Sequence, residues 1–335
     1  MVTARSRVKI IATGGSIAGV GPHRLDYLLY SESGQRLTIE QMLARVPEVE
    51  EIAEVRGENL TSVGSTSIGP QEWLQITQRI NQLFHEEPEL SGIVVTHGTA
   101  TLEETAYFLH LTVKSAKPVV VTGSMRPPTA VSTDADLNLL DAIRIAVCPD
   151  AGGRGVLTVL NNEIHSARDV TKSNTLRLET FQSHHLGLLG YADSDGQVLF
   201  YRSVTRQHTM STPFNVASLS RLPRVDIVYA YGGADGLLVN AVRQQGSAGL
   251  VVAGFGSGTF PPVFLDAARR LAADGIPVVL ASRSSSGRTI MTPKKAEAGF
   301  IVADDLHPQK ARILLMLALT KGHERQAIQE MFYRF

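Results

Sequence analysis

Three short stretches collect the side chains of this chain that could do chemistry: "ATGGSIAG" (12–19), "THGTATLEET" (96–105) and "TGSMRP" (122–127). Each sets a hydroxyl (Ser16, Thr99, Ser124) among glycines. Glycine lets backbone approach closely, and a hydroxyl can attack a carbonyl once a base and an oxyanion site are supplied. Other readings stand beside this one. Gly14, Gly15, Gly19 and Gly21 could cradle a phosphate, but their spacing does not fit G-x-G-x-x-G and no Walker lysine follows. Ser16 could also be a loop serine bonded to backbone. His97 is either a base or a packed residue bonded to backbone. Lys172, in "RDVTKSN", is either a solvated cation or, once desolvated in a cleft, a base. No Ser–His–Asp set declares itself. Cys148, the one cysteine, reads as a small buried hydrophobe and excludes an internal disulfide.

Strands must carry these loops. Val8–Ala12, Ile93–Thr96, Val119–Thr122 and Val156–Leu160 read as buried strands, and Ile227–Tyr231, Leu250–Ala253 and Val278–Ala281 repeat the pattern. Trp73, Ile76, Ile80 and Leu83 fall at helical spacing after Pro70, and Val263–Leu271 is a second helical stretch. Alternation of this kind predicts parallel sheets covered by helices, with ligands bound at the carboxyl ends of strands. All three reactive stretches begin where a strand stops. Thr101 and Glu104 fit a capping box, with Leu102, Ala106, Leu109 and Val113 running down one helix face.

The fold class is therefore α/β: a larger N-terminal domain with a parallel-rich sheet (1–200) and a smaller C-terminal α/β domain (224–335). The polar stretch "YRSVTRQHTMSTPFNVASLSRLP" (201–223) reads as a connector. With 335 residues, 43% of them hydrophobic, and a formal net charge of zero, the chain has material for two cores and no overall basic pull toward nucleic acid. No apolar run reaches membrane-spanning length, and "MVTARSRVKIIATGG" has no signal-peptide apolar region, so the expected location is cytoplasmic.

Together "IATGGSIAG", "VVTHGTATLEETAYFL", "PVVVTGSMRP", "RDVTKSNT", "HTMSTPF" and "HPQKARILLMLALT" follow one another in an order that resembles the bacterial-type L-asparaginase/glutaminase family over almost the whole chain. The resemblance implies cofactor-free, metal-free amide hydrolysis through an acyl-enzyme, in a homotetramer built from dimers. The partners it implies are a small-molecule amide and other copies of the chain, not nucleic acid or membrane. It assigns the first nucleophile to Ser16, where the family usually has threonine, and the assisting tyrosine to Tyr30, with Tyr27 the weaker match. The second reactive threonine falls on Thr99 and its lysine on Lys172. Ser65 and Thr66 would hold the substrate's α-carboxylate. Gly98, Ala100 and Ser124 would line the substrate site, and the N–H groups of Thr99 and Ala100 would help stabilise an oxyanion.

Ala100 departs from the family, which has aspartate there to grip the substrate's α-ammonium. A second acid, contributed by a neighbouring subunit, aligns near Thr292, in a stretch made basic by Arg288, Lys294 and Lys295 with only Glu297 nearby. A unit-charge pair at about 4 Å is worth roughly 4 kcal/mol at an effective dielectric of about 20. Losing even half of that weakens binding roughly tenfold or more. The expected substrate is therefore an amide without a free α-amino group. Two alternatives stand against it: an ordinary asparaginase in which Glu297, Asp134 or Asp136 fills the gap, and a catalytically silent binding protein.

Overall fold

The computed structural model describes residues 5–322 and 324–335. The chain divides into two compact units, Met1–Ser218 and Leu219–Phe335.

The first unit is organised by β1 (Arg7–Gly14), β2 (Glu54–Val63), β3 (Leu90–Thr96), β4 (Val119–Thr122), β5 (Val156–Leu160) and β6 (Glu163–Ser166). A short ribbon of β7 (Thr171–Lys172) and β8 (Phe181–Gln182) follows, then β9 (Gly190–Ala192) and β10 (Val198–Phe200). All but the ribbon form one sheet in the order β10-β9-β6-β5-β4-β3-β1-β2. Strands β1 to β5 pair in parallel, and β6, β9 and β10 extend the sheet antiparallel.

Side-chain alternation divides the core between two faces. Val8, Ile10, Val94, Val120, Leu157 and Val159 pack with Ile39 and Met42 of α1 (Ile39–Leu43), Val49 of α2 (Val49–Ile52), and Leu139, Ala142 and Ile143 of α5 (Ala135–Val147). Ile11, Ile93, Val95, Val119, Val121 and Val156 face the other way. They meet Ile76, Ile80 and Leu83 of α3 (Pro70–Glu86) and Leu102, Ala106 and Leu109 of α4 (Leu102–Thr112). Burial on both faces explains the unbroken β-branched runs. The connection leaving β1 leads to α1 on one face, and that leaving β3 leads to α4 on the other. Adjacent parallel strands whose connections part in this way open a crevice at their carboxyl ends.

The second unit is a four-stranded parallel sheet, β11 (Val225–Tyr229), β12 (Gly249–Gly254), β13 (Val278–Ser282) and β14 (Ile301–Val302), in that order. Strand β11 begins and ends two residues before the span expected from sequence, because Ala230 and Tyr231 enter the turn before α6 (Leu237–Gln244). Val239, Val242, Phe264 and Leu271 of α6 and α7 (Pro262–Ala273) cover one face with Val252 and Leu280. The remaining helices are α8 (Pro293–Glu297), α9 (Pro308–Leu319) and α10 (Arg325–Arg334). Part of the expected connector is tied to the first unit: Lys114 Nζ donates to Thr209 O, Thr212 O and Thr212 Oγ1 at 2.8–2.9 Å.

Candidate active site

The crevice between β1 and β3 is a cleft of about 290 Å³. Its lining includes Ser16, Tyr30, Arg36, Ser65, Thr66, Thr99, Ala100 and Lys172. Gly14 and Gly15 leave β1 with φ of 96° and 84°. A Cβ on Gly15 would stand 2.2 Å from Gly98 Cα, so only glycine lets the Ser16 loop pass against the Thr99 loop.

Ser16 starts a single 3-10 turn, and Tyr30 Oη donates to its Oγ at 3.0 Å. The tyrosine is placed by Asp26, whose carboxylate accepts N–H bonds from Leu28, Leu29 and Tyr30. Burial pushes the Asp26 pKa up, but these donors outweigh it and lower the pKa overall. A Cβ on Gly19 would stand 2.7 Å from the Tyr30 ring, so glycine there lets the ring reach the serine. Tyr27 instead donates to Val131 O at 3.2 Å and lies against Arg126.

Across the cleft, Lys172 Nζ donates to Thr99 Oγ1 at 2.7 Å. The lysine sits on the β7–β8 ribbon, whose backbone is held toward α4 by Glu103: Oε1 accepts from Thr171 Oγ1 at 3.1 Å and from Lys172 N at 3.3 Å. Burial lowers the Lys172 pKa. Ser65 and Thr66 lie in a 3-10 turn after β2. Gly98 keeps the Ser65 hydroxyl close, since a Cβ there would stand 2.7 Å from Ser65 Oγ.

Ala100 is exposed on the cleft wall, and no acid among the described residues lines the cleft. The two local candidates to fill the gap are used elsewhere. Asp134 accepts from the N–H groups of Met125 and Arg126 and from Asn138. Asp136 is paired with Arg45 through both oxygens. In the second unit Thr292 caps α8 by accepting from Lys295 N, Lys295 Nζ bonds Ser257 O and Ile290 O, and Glu297 is exposed.

Two expectations, on Thr101 and Ser124, are corrected, and His97 takes the packed one of its two readings. Thr101 caps nothing with its side chain: its hydroxyl donates to Ser65 O at 2.7 Å, fastening α4 to the turn after β2 in place of a capping box. His97 is packed, with Nδ1 at 2.8 Å from Gly98 O and Nε2 at 2.8 Å from Thr105 Oγ1, and burial brings its pKa down to about 4. Ser124 is buried with its hydroxyl donating to Arg126 O at 2.6 Å, and it does not line the cleft. Arg36 was not foreseen. It sits in an aperiodic polar stretch and reaches the cleft because Val20 N bonds Gln35 O and Leu37 N bonds Ala18 O, at 3.1 and 2.7 Å.

Residues 7–206 match the family described as "Asparaginase, N-terminal", and residues 224–332 match "Glutaminase/Asparaginase C-terminal domain". The chain belongs to the asparaginase family. Its members are amidohydrolases acting on linear amides, and this chain is one of them. It is 43% identical over 330 residues to L-asparaginase 2 of Bacillus subtilis, covering 98% of this chain and 86% of that one. It is 40% identical over 338 residues to glutaminase-asparaginase of Pseudomonas fluorescens, covering 99% and 91%. The crystal structure of the probable cytoplasmic L-asparaginase from Campylobacter jejuni superposes with a TM-score of 0.94 at 40% identity, covering 99% of this chain and all of that one. This asparaginase-family chain keeps the expected two α/β domains. Among the described residues no cluster of three or more His, Cys, Asp or Glu could hold a metal ion, and no helix is long and apolar enough to cross a membrane.

Proposed function

We propose that this amidohydrolase converts a small carboxylic acid amide to carboxylate and ammonia through an acyl-enzyme on Ser16, and that its preferred substrate lacks a free α-amino group. One observation carries the reading: two hydroxyl centres, Ser16–Tyr30 and Thr99–Lys172, share a cleft that no described acid lines. The first can open the amide and the second can deliver water. An α-ammonium would meet the Ala100 methyl where a carboxylate is needed.

The steps balance as follows. Ser16 Oγ adds to the amide carbon, assisted by Tyr30. Backbone N–H groups of Thr99 and Ala100 stabilise the oxyanion. The C–N bond breaks, and the serine proton passes through the hydroxyl network to leave with ammonia. Neutral Lys172 then takes a proton through Thr99 from water, which attacks the ester. The ester C–O bond breaks, Lys172 returns its proton to Ser16 Oγ, and the released acid ionises to the carboxylate.

Rapid quenching of a reaction with succinamic acid, followed by peptide mass spectrometry, tests this route. A succinyl group on the Ser16 peptide, absent in Ser16→Ala, is the expected result. Succinyl on Thr99 alone would reverse the roles, and full turnover retained by Ser16→Ala would exclude Ser16 as the nucleophile. The homotetramer belongs to the same proposal. Exposed Tyr229, Tyr231, Leu237 and Leu238 on the second unit favour burial against another copy, and light scattering should give four times the chain mass.

A further inference from the structure

We infer that Arg36 is a substrate-binding residue that grips, together with the Ser65–Thr66 turn, the single carboxylate of a small dicarboxylic acid monoamide. The inference rests on the amine-free reading above and names the substrate class.

Arg36 and Lys172 are the charged side chains lining the cleft. Lys172 is bonded to Thr99. Among the described residues Arg36 Nη1 reaches only carbonyl oxygens, Gly34 O at 3.5 Å and Ser62 O at 3.4 Å, both long contacts, and no carboxylate pairs with it. An arginine fork facing a polar cleft is suited to a carboxylate, which it can meet with two parallel N–H bonds. Its backbone is held against the Ser16 loop by the pairing of residues 35–37 with 18–20. It also lies on the correct side. Arg36 Nη2 is 3.9 Å from where a Cβ on Gly64 would stand, and Gly64 leads directly into Ser65 and Thr66.

The cleft therefore has three chemical zones. Arg36, Ser65 and Thr66 offer a cation and hydroxyls at one part of its wall. Ser16 and Thr99 offer the reacting hydroxyls. Ala100 offers a methyl. A chain with a carboxylate at one end, an amide at the other and no charge between complements all three, as succinamate does. A neutral amide would leave Arg36 unmatched.

The test measures steady-state kinetics of the full-length protein, Arg36→Gln and Arg36→Lys with succinamate and with L-asparagine, each variant checked by thermal melting. Arg36→Gln should raise KM for succinamate about tenfold with little change in kcat, the signature of lost ground-state binding. Arg36→Lys keeps the charge without the fork and should recover part of the loss. A KM within about twofold of the parent in Arg36→Gln, or a fall in kcat at constant KM, overturns the assignment. The two readings separate cleanly. If the parent prefers L-asparagine while Arg36→Gln raises KM for both substrates, the amine-free reading falls and the arginine assignment stands.

Discussion

Lys172 Nζ lies 2.7 Å from Thr99 Oγ1, while the next residue along that loop, Ala100, presents a methyl group to the same cleft. The pairing matters because a neighbouring carboxylate would favour the charged lysine, whereas burial without one favours the neutral base. Burial does lower the Lys172 pKa.

The rate should therefore rise with pH through a lysine pKa displaced below its ordinary value of 10.5. The sign follows from the role: only the neutral amine can take a proton, and its fraction grows as pH climbs. Lys172→Met should lower kcat by about 10²- to 10⁴-fold, the usual worth of a positioned base. It should also remove that limb of the pH profile. A profile unchanged in Lys172→Met would assign the titration to another group.

Ala100→Asp should restore a carboxylate beside the lysine. Two effects are expected together. Turnover of L-asparagine relative to succinamate should rise roughly tenfold or more, the equivalent of about half a close ion pair at intermediate dielectric. The lysine limb should move to higher pH, since an opposite charge favours the ammonium. Parallel pH profiles on both substrates check both effects, and an unmoved limb would place the new carboxylate away from Lys172.

His97 gives a stability prediction. Its pKa is about 4 in the folded chain, because burial disfavours the cation, against an ordinary value of 6.5. The unfolded chain therefore binds the extra proton first, and stability is lost as pH falls from 6.5 toward 4. By pH 5 the loss from this one group should reach about 2 kcal/mol. Denaturant unfolding at pH 7 and pH 5 measures it. His97→Gln should be less stable at neutral pH, having lost bonds to Gly98 and Thr105, yet show a smaller drop on acidification. An equal drop in both proteins would remove His97 as the cause.

Much of this architecture can be read directly from residue order, for a physical reason. Strands β1, β3, β4 and β5 pack on both faces, so they are largely apolar and stand out as β-branched runs. Strand β2 did not stand out. It lies at the sheet edge and carries Glu58, which is bonded to Arg79 of α3, so its pattern is half polar. The cleft hydroxyls of Ser16 and Thr99 are legible because they sit where strands end among glycines. The uses of Thr101, Ser124 and Arg36 are not, because each is decided by a partner that local spacing does not reveal. Thr101 is claimed by Ser65 O, Ser124 by Arg126 O, and Arg36 is carried into the cleft by the pairing of residues 35–37 with 18–20. Tyr30 is the better match to the assisting tyrosine in the sequence and Tyr27 the weaker one. The missing side chain at Gly19 makes room for the Tyr30 ring beside Ser16, while Tyr27 donates to Val131 O.

Competition in one tube bears most directly on substrate choice. Equimolar succinamate and L-asparagine, with both products followed by proton NMR at early conversion, yield the ratio of their kcat/KM values. Consumption of succinamate at least about tenfold faster is predicted, the consequence of an ammonium meeting a methyl in place of a carboxylate. L-Asparagine consumed at an equal or greater rate would contradict it and leave an ordinary asparagine hydrolase.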